Sequence, residues 1–170
     1  MSAVAVDDEV LARARQVAAG VRDPEMPMLT LLDLGVLRDV ARGDDGRVRV
    51  TITPTYSGCP VMATMRDDLL HALADAGLDA DVTVSLRPAW SSDWITDEGR
   101  RALRQHGISP PAAAPQGPVL LQLLAPSRAL TCPQCGSSRT ELTSAFGPTA
   151  CTALYRCTTC REPFQHVKEI

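Results

Sequence analysis

Six cysteines are the side chains of this 170-residue chain that are most able to do chemistry, and four of them occur as two matched pairs. The pairs are Cys132-Pro-Gln-Cys135 and Cys157-Thr-Thr-Cys160, with 21 residues between them. Two Cys-x-x-Cys knuckles at such a distance are typical of a tetrahedral four-thiolate metal site. Zinc is the metal that we expect; an iron site with the same ligands and a redox-active cysteine pair are the alternatives.

The segment around these knuckles has the pattern of a zinc ribbon. We predict strands over residues 140–144 and 153–157, which would bring the two knuckles side by side, and Gly136 follows the first knuckle where a permissive backbone is needed. A module of this size, which we assign to residues 128–170, buries too little apolar surface to fold without its metal. The zinc is therefore expected to be structural.

The fifth cysteine, Cys59, stands between a glycine and a proline at the predicted start of a helix, in the segment Ser57-Gly58-Cys59-Pro60. Free amide groups and the helix dipole at such a position favour a thiolate, which could act as a nucleophile or bind a soft metal. A small buried residue at a helix start is the alternative. A general base is not evident, because His71 lies about three turns further along the same helix.

The sixth cysteine, Cys151, lies between the two knuckles in the segment Pro148-Thr-Ala-Cys151. Three interpretations remain open for it: a packed thiol, a spare metal ligand, or a thiol that contributes to transient docking.

The first part of the chain alternates helical and strand patterns, which predicts an α/β (α+β) domain with helices packed on a small sheet. Strand residues Val48, Val50 and Ile52 are expected to point inward. The predicted elements are a helix over residues 7–19, a hairpin of strands 36–41 and 47–53, a helix over 60–76, a strand with Val82, Val84 and Leu86 alternating, and a helix from Thr96 to Gly107.

A stretch rich in proline and alanine separates the two parts. Residues 109–118 contain four prolines and three consecutive alanines, which is a linker composition. We therefore divide the chain into an α/β domain at 1–108, a linker at 109–127 and the zinc ribbon at 128–170.

Composition and charge exclude several classes of function. The net charge is −3, with no broad basic surface, so we expect neither nucleic-acid binding nor a polybasic membrane anchor. Acidic residues occupy the region where a signal peptide would be apolar, and no apolar run has the length of a membrane span. These features favour a cytoplasmic protein, in which cysteines serve as metal ligands or functional thiols more often than as disulfides.

Several short motifs in the first part resemble those of a family of iron–sulfur assembly factors. The resemblance covers roughly residues 8–86 and rests on the motifs Asp23-Pro24-Glu25-x-Pro27, Asp33-Leu34-Gly35, Thr51-x-Thr53 and Gly58-Cys59-Pro60. It implies that Cys59 corresponds to the family's reactive cysteine and would hold iron or a cluster transiently. Asp33 corresponds to the family's acidic residue, although a turn or helix cap explains an aspartate there as well.

A longer resemblance extends over nearly the whole chain, to the PaaD family of accessory proteins from bacterial phenylacetyl-CoA epoxidase systems. It rests on the motifs Thr53-Pro-Thr-Tyr-Ser-Gly-Cys59-Pro, Phe146-Gly-x-Thr-Ala-Cys151-x-Ala-Leu-Tyr-Arg-Cys157 and Glu162-Pro-Phe164. The resemblance implies a non-catalytic subunit that helps to mature a metal centre in phenylacetate catabolism. The partners that it implies are the di-iron oxygenase and the iron–sulfur flavoprotein reductase of the same system.

A single cysteine cannot satisfy an iron–sulfur cluster, which takes about four protein ligands. Cys59 would need Cys151, a thiol of a partner, or a second copy of this chain in a homodimer. Two other interpretations of the whole protein remain: a structural or regulatory subunit of the oxygenase complex without metal transfer, and a thiol-dependent enzyme, against which the missing base argues.

Overall fold

Two small sheets and three helices make up the computed structural model, which describes residues 3–112 and 130–169. The helices are α1 (Ala3–Ala19), α2 (Met62–Asp75) and α3 (Asp97–Gln105), with a short 3-10 turn at Ser92–Trp94. The strands are β1 (Leu37–Arg42), β2 (Val48–Ile52), β3 (Ala80–Val84), β4 (Ile108–Ser109), β5 (Thr140–Ser144), β6 (Thr152–Cys157) and β7 (Pro163–Val167). The predicted mixed fold class is confirmed.

The first sheet has the order β1-β2-β3. An antiparallel hairpin joins β1 to β2, and α2 carries the chain across to β3, which pairs parallel with β2. Val48, Val50 and Ile52 are buried, so the predicted alternation of β2 is confirmed. The alternation predicted for the third strand holds only for Val82, because Val84 and Leu86 are exposed beyond the packed part of this edge strand.

Helix α2 begins later than the sequence indicates. Its N-cap is Val61 and its first residue is Met62, whereas we predicted Pro60 as the first helical residue. Cys59 consequently lies in a turn before the helix, where its backbone N–H donates to the carbonyl oxygen of Tyr56. The stripe that faces the core is confirmed for Met65, Leu69 and Leu73.

The second sheet has the order β4-β7-β6-β5 and therefore contains a strand from each side of the predicted linker. Strand β4 follows α3 directly and pairs parallel with β7, through Ile108 with Gln165 and Ser109 with His166. The predicted strands β5 and β6 are confirmed as an antiparallel pair. Ser109, the first residue of the predicted linker, is buried in β4, and most of that linker lies outside the described residues.

The apolar core runs from the first part of the chain into the ribbon. Its main cluster contains the inward faces of the three helices and the first sheet, and it also includes Cys151 and Val167 from the ribbon. A second, smaller cluster consists of Cys132, Cys157 and Phe164. The ribbon thus packs directly against the α/β part, while the division into separate domains stays a prediction.

None of the helices within the described ranges is long and apolar enough to cross a membrane.

Candidate metal centre

The sulfur atoms of Cys132, Cys135, Cys157 and Cys160 all lie within 4.8 Å of one another. The Sγ atoms of Cys132 and Cys160 are 3.7 Å apart, and those of Cys135 and Cys157 are 3.6 Å apart. The structure therefore brings together the four residues of the two knuckles as one cluster, as their spacing predicts.

These distances fit a zinc ion. A tetrahedral ion with zinc–sulfur bonds of about 2.3 Å sets its sulfurs about 3.8 Å apart, close to the two distances above. Four thiols and no carboxylate or imidazole form the donor set, which suits a closed site without an open coordination position. A zinc ion held here would crosslink the ribbon and would leave no position for a substrate.

The backbone of each knuckle takes the same shape after its second cysteine. Gly136 has a φ of 73° and Arg161 has a φ of 66°, so both lie in the left-handed region. The conformation lets the chain turn back under the sulfurs: the N–H of Gly136 donates to the carbonyl of Cys132, and the N–H of Cys157 donates to the carbonyl of Glu162. The glycine was expected from the sequence, whereas nothing in the sequence marks Arg161 for this role.

The electrostatics of the cluster favour a bound cation. The backbone N–H groups of Cys160 and Thr159 lower the pKa of Cys157 to about 6. Although the N–H of Glu162 opposes the change, burial and hydrogen bonds with the neighbouring thiols raise the pKa of Cys160 to about 12. The four sulfurs cannot all ionise so close together unless a positive charge lies between them.

Cys59 lies apart from this cluster, half-buried in a narrow cleft. Burial raises the pKa of the Cys59 thiol, the N–H of Val61 lowers it, and the charges of Glu25, Asp23 and Cys151 raise it further. Our prediction of a thiolate stabilised by the helix start is therefore wrong for the metal-free chain. The helix begins three residues later than Cys59, and acidic side chains rather than cations surround the sulfur.

Cys151 reaches the same cleft from the ribbon. It is 7% exposed, and its sulfur lies 3.1 Å from the hydroxyl oxygen of Thr149. The residues that line the cleft are Glu25, Thr55, Tyr56, Cys59, Pro60, Ala150 and Cys151. The interpretation of Cys151 as a packed thiol agrees with its burial, but its position opposite Cys59 also keeps the interpretation as a ligand open.

Asp23 is the residue at this cleft that our sequence reasoning did not single out. It is 3% exposed, and one of its carboxylate oxygens accepts hydrogen bonds from the N–H groups of Glu25 and Met26. Burial raises the pKa of Asp23 despite these two donors. An aspartate before two prolines in a tight loop was the signal, since such a side chain commonly binds the backbone two or three residues on.

Asp33 is not among the residues that line the cleft. One of its oxygens accepts hydrogen bonds from the N–H and the hydroxyl of Thr30, at 3.1 and 2.7 Å. The other accepts a hydrogen bond from the hydroxyl of Thr96, the residue that caps α3. These contacts favour the interpretation of Asp33 as a cap over a direct role with Cys59.

Comparison with known proteins agrees with the motifs. A family model described as iron-sulfur cluster assembly protein matches residues 12–86, and one described as PaaD zinc beta ribbon domain matches residues 116–168. The crystal structure of a domain of unknown function from Bacillus anthracis shares the fold, with a TM-score of 0.53 and 22% identity over 59% of this chain and 96% of that chain.

Two curated relatives cover different shares of the chain. The Fe-S protein maturation auxiliary factor YitW of Bacillus subtilis (strain 168) is 30% identical over 58% of this chain and 94% of that protein. A protein of Escherichia coli (strain K12), named as the putative PaaD-type subunit of the 1,2-phenylacetyl-CoA epoxidase, is 44% identical over 87% of this chain and 86% of that protein. At this identity over most of both lengths, the chain belongs to the PaaD family of phenylacetyl-CoA epoxidase subunits.

Proposed function

We propose that this protein is a non-catalytic accessory factor of a phenylacetyl-CoA epoxidase system, which assists the assembly of an iron–sulfur cluster or iron centre in a partner subunit. The names of its relatives support the two halves of this proposal, one as an epoxidase subunit and the other as a maturation factor. The iron or cluster is cargo in this proposal, whereas zinc in the four-cysteine cluster is the resident metal.

The observation that carries the proposal is the position of Cys59. Its thiol lies within the segment matched by the iron–sulfur assembly family and lines a cleft with Glu25 and Cys151. None of the three histidines of the chain lines that cleft, so a base that would turn the thiol into a catalytic nucleophile is absent there. A soft ligand without a base suits metal handling better than thiol catalysis.

A partner has an apolar surface to dock on beside this cleft. Tyr56 and Leu86 are 50% and 55% exposed and line one shallow depression together with Trp90. Because Tyr56 also lines the cleft of Cys59, a client bound on this surface would lie next to the thiol. Aromatic side chains are enriched at protein interfaces, and the iron–sulfur flavoprotein reductase and the di-iron oxygenase are the clients that we infer.

The competing function is a structural or regulatory subunit of the oxygenase complex. The raised pKa of Cys59 and its packing against the core favour it, since both are ordinary for an inert, partly buried thiol. On this alternative the protein would stay bound to the oxygenase and would not need the thiol. A role in the cytoplasm is common to both functions.

Replacement of Cys59 by serine separates the two functions. Cys59→Ser is nearly isosteric, so we expect zinc content and stability to change little while epoxidase activity falls in cells that express the whole pathway under iron limitation. Iron and sulfide in the purified reductase and oxygenase subunits are measured in parallel. Ser57→Ala, in the same turn, is the matched control and should behave as the wild type. Equal activity and equal metal occupancy in the Cys59→Ser and wild-type backgrounds would contradict metal assembly and favour the structural role.

A further inference from the structure

Two free thiols face one cleft from the two halves of the molecule. Cys59 belongs to the turn before α2, whereas Cys151 belongs to the ribbon loop immediately before β6. The space between the lining residues is about 10 Å³, which is about the room of one water molecule or one bare ion. Glu25 reaches the same cleft from a third segment.

The ribbon holds Cys151 in place on this side. The hydroxyl of Thr149 contacts its sulfur, the N–H of Lys168 donates to its carbonyl, and Nζ of Lys168 donates to the carbonyl of Ala150. These contacts come from both ends of the loop and from the end of β7. The thiol is therefore presented to Cys59 by a fixed backbone, and its position depends on the folded ribbon.

We propose that Cys59 and Cys151 form a second metal site, which binds one thiophilic divalent cation such as Fe²⁺ through two thiolates. This inference rests on the proposed function and deepens it, because it supplies the second ligand that Cys59 lacks as a carrier of iron. The site is distinct from the four-cysteine cluster. Strand β6 runs from one site to the other, and the six residue steps from Cys151 to Cys157 span about 20 Å.

The charges around the cleft suit a cation. Asp23, Glu25 and Cys151 each act on Cys59 so as to oppose its ionisation, which shows that negative charge is crowded there. A divalent ion would relieve this crowding, as cations do where ligand charges gather. On binding, each thiol loses one proton to solvent, so one M²⁺ and two thiols give one bis-thiolate complex and two H⁺.

Two thiolates leave a tetrahedral ion with two positions to fill. Solvent or the carboxylate of Glu25 can occupy them in the free protein, and ligands of a client can replace solvent there. An ion held in this way is bound firmly enough to be carried and openly enough to be given up. The closed four-thiolate cluster has no such open positions.

Cobalt binding to the zinc-loaded protein tests the site directly. The full chain is kept reduced and anaerobic, its zinc is measured, and Co²⁺ is added while thiolate-to-cobalt charge-transfer absorption is recorded. We expect one cobalt per chain beyond the retained zinc, with a weaker absorption than a four-thiolate cobalt site gives. Cys59→Ser and Cys151→Ser should each weaken this binding at least tenfold, and the double variant should be little worse than either single one.

Controls keep the result interpretable. Ser57→Ala should bind cobalt as the wild type does, and each variant should retain its zinc and its thermal unfolding midpoint. If Cys151→Ser fails to fold, Cys151→Ala retains the small apolar volume and takes its place. The proposal is overturned if cobalt absorption appears only as zinc is released, or if loss of Cys151 leaves cobalt affinity unchanged.

The outcomes separate this site from the proposed function. Reduced epoxidase maturation in Cys59→Ser together with wild-type cobalt binding in Cys151→Ser would refute the two-thiol site and leave the maturation function standing. Cobalt binding that needs both thiols, together with full maturation in Cys59→Ser, would refute the function and leave the site standing.

Discussion

The Nδ1 atom of His166 in β7 lies 3.1 Å from the carbonyl oxygen of Ser109 in β4. On the other side of the same ring, Nε2 lies 3.5 Å from a carboxylate oxygen of Glu169, whose second oxygen accepts a hydrogen bond from the N–H of Ala112. Side chains therefore reinforce the short parallel pairing of β4 with β7. This group of contacts fastens the end of the α/β part to the ribbon.

We expect this junction to weaken in acid. The hydrogen bond from His166 lowers the pKa of Glu169 to about 2, from an ordinary value of 4.5, although burial partly opposes the change. A carboxyl group whose pKa is lowered in the folded state stabilises that state above its ordinary pKa, and this contribution is lost as the pH falls from 4.5 toward 2. After allowance for solvent screening, the effect is about 1 kcal/mol.

Glu169→Gln should therefore lower the free energy of unfolding at neutral pH and make it less sensitive to acid below about pH 4.5. Chemical denaturation of both proteins across this pH range measures the difference. The exposed Glu141 of β5 offers a control, and Glu141→Gln should run parallel to the wild type. A constant gap between Glu169→Gln and wild type down to the most acidic point would contradict the assignment.

Loss of one metal ligand should unfold the ribbon. Cys160→Ser removes one of four thiolates, and structural zinc supplies on the order of 10–16 kcal/mol to the folding of such modules. Zinc content should fall, and amide NMR signals of residues 130–169 should collapse, while the first sheet stays folded at reduced stability because it loses Cys151 and Val167 from its core.

The neighbouring Thr159→Ala, which retains all four thiols, serves as the comparison for this experiment. Collapse of the signals from β1 to β3 in Cys160→Ser would show that the α/β part cannot stand without the ribbon. The predicted division into a domain at 1–108 and a ribbon at 128–170 would then have to be abandoned.

Asp33 should matter for stability rather than for metal binding. Asp33→Ala leaves the hydroxyls of Thr30 and Thr96 without their common acceptor, and it should lower the free energy of unfolding by about 2–3 kcal/mol. Thr96→Ala should cost about 1 kcal/mol because it removes the cap of α3, and the double variant should cost less than the sum. Full stability of Asp33→Ala with impaired epoxidase maturation would instead give Asp33 a direct functional role.

Gly35 should tolerate no side chain. Its φ is +69°, and an added Cβ would lie 2.5 Å from Cβ of Trp94 and 2.7 Å from its carbonyl oxygen. Gly46 has a similar φ of +80° but open space around it, so Gly46→Ala measures the backbone strain alone, at about 1 kcal/mol. We expect thermal unfolding to reveal a much larger loss in Gly35→Ala, and equal losses in the two variants would mean that Trp94 moves aside.

Features that depend on local pattern could be predicted from the sequence. The hairpin of β1 and β2, the three helices, strands β5 and β6 and the four-cysteine cluster follow from alternation, caps and ligand spacing, and the structure confirms each of them. Strands β4 and β7 were missed for a physical reason. Two residues in β4 are too few to show a period, and their pairing with β7 depends on packing between distant segments.

The chemistry of Cys59 was the other feature that the sequence could not supply. A cysteine before Pro60 suggests a helix N-terminus and a low thiol pKa, but the helix starts at Met62 and the loop with Asp23 and Glu25 lies beside the sulfur. Neither the later start of the helix nor the approach of a distant acidic loop leaves a local pattern. The meeting of Cys59 with Cys151 likewise depends on how the ribbon packs on the α/β part.

The pairing of β4 with β7 also bears on how the chain reaches its native state. Ser109 and His166 are 57 positions apart, so their contact closes one of the long loops of the fold and must wait until the ribosome has synthesised β7. Until then, Ile108 and the end of α3 lack their partner strand and expose apolar surface on the nascent protein. Zinc uptake by the knuckles shortens the effective loop, because it orders β6 and β7 before they search for β4. Metal supply would thereby govern the rate of folding as well as its outcome.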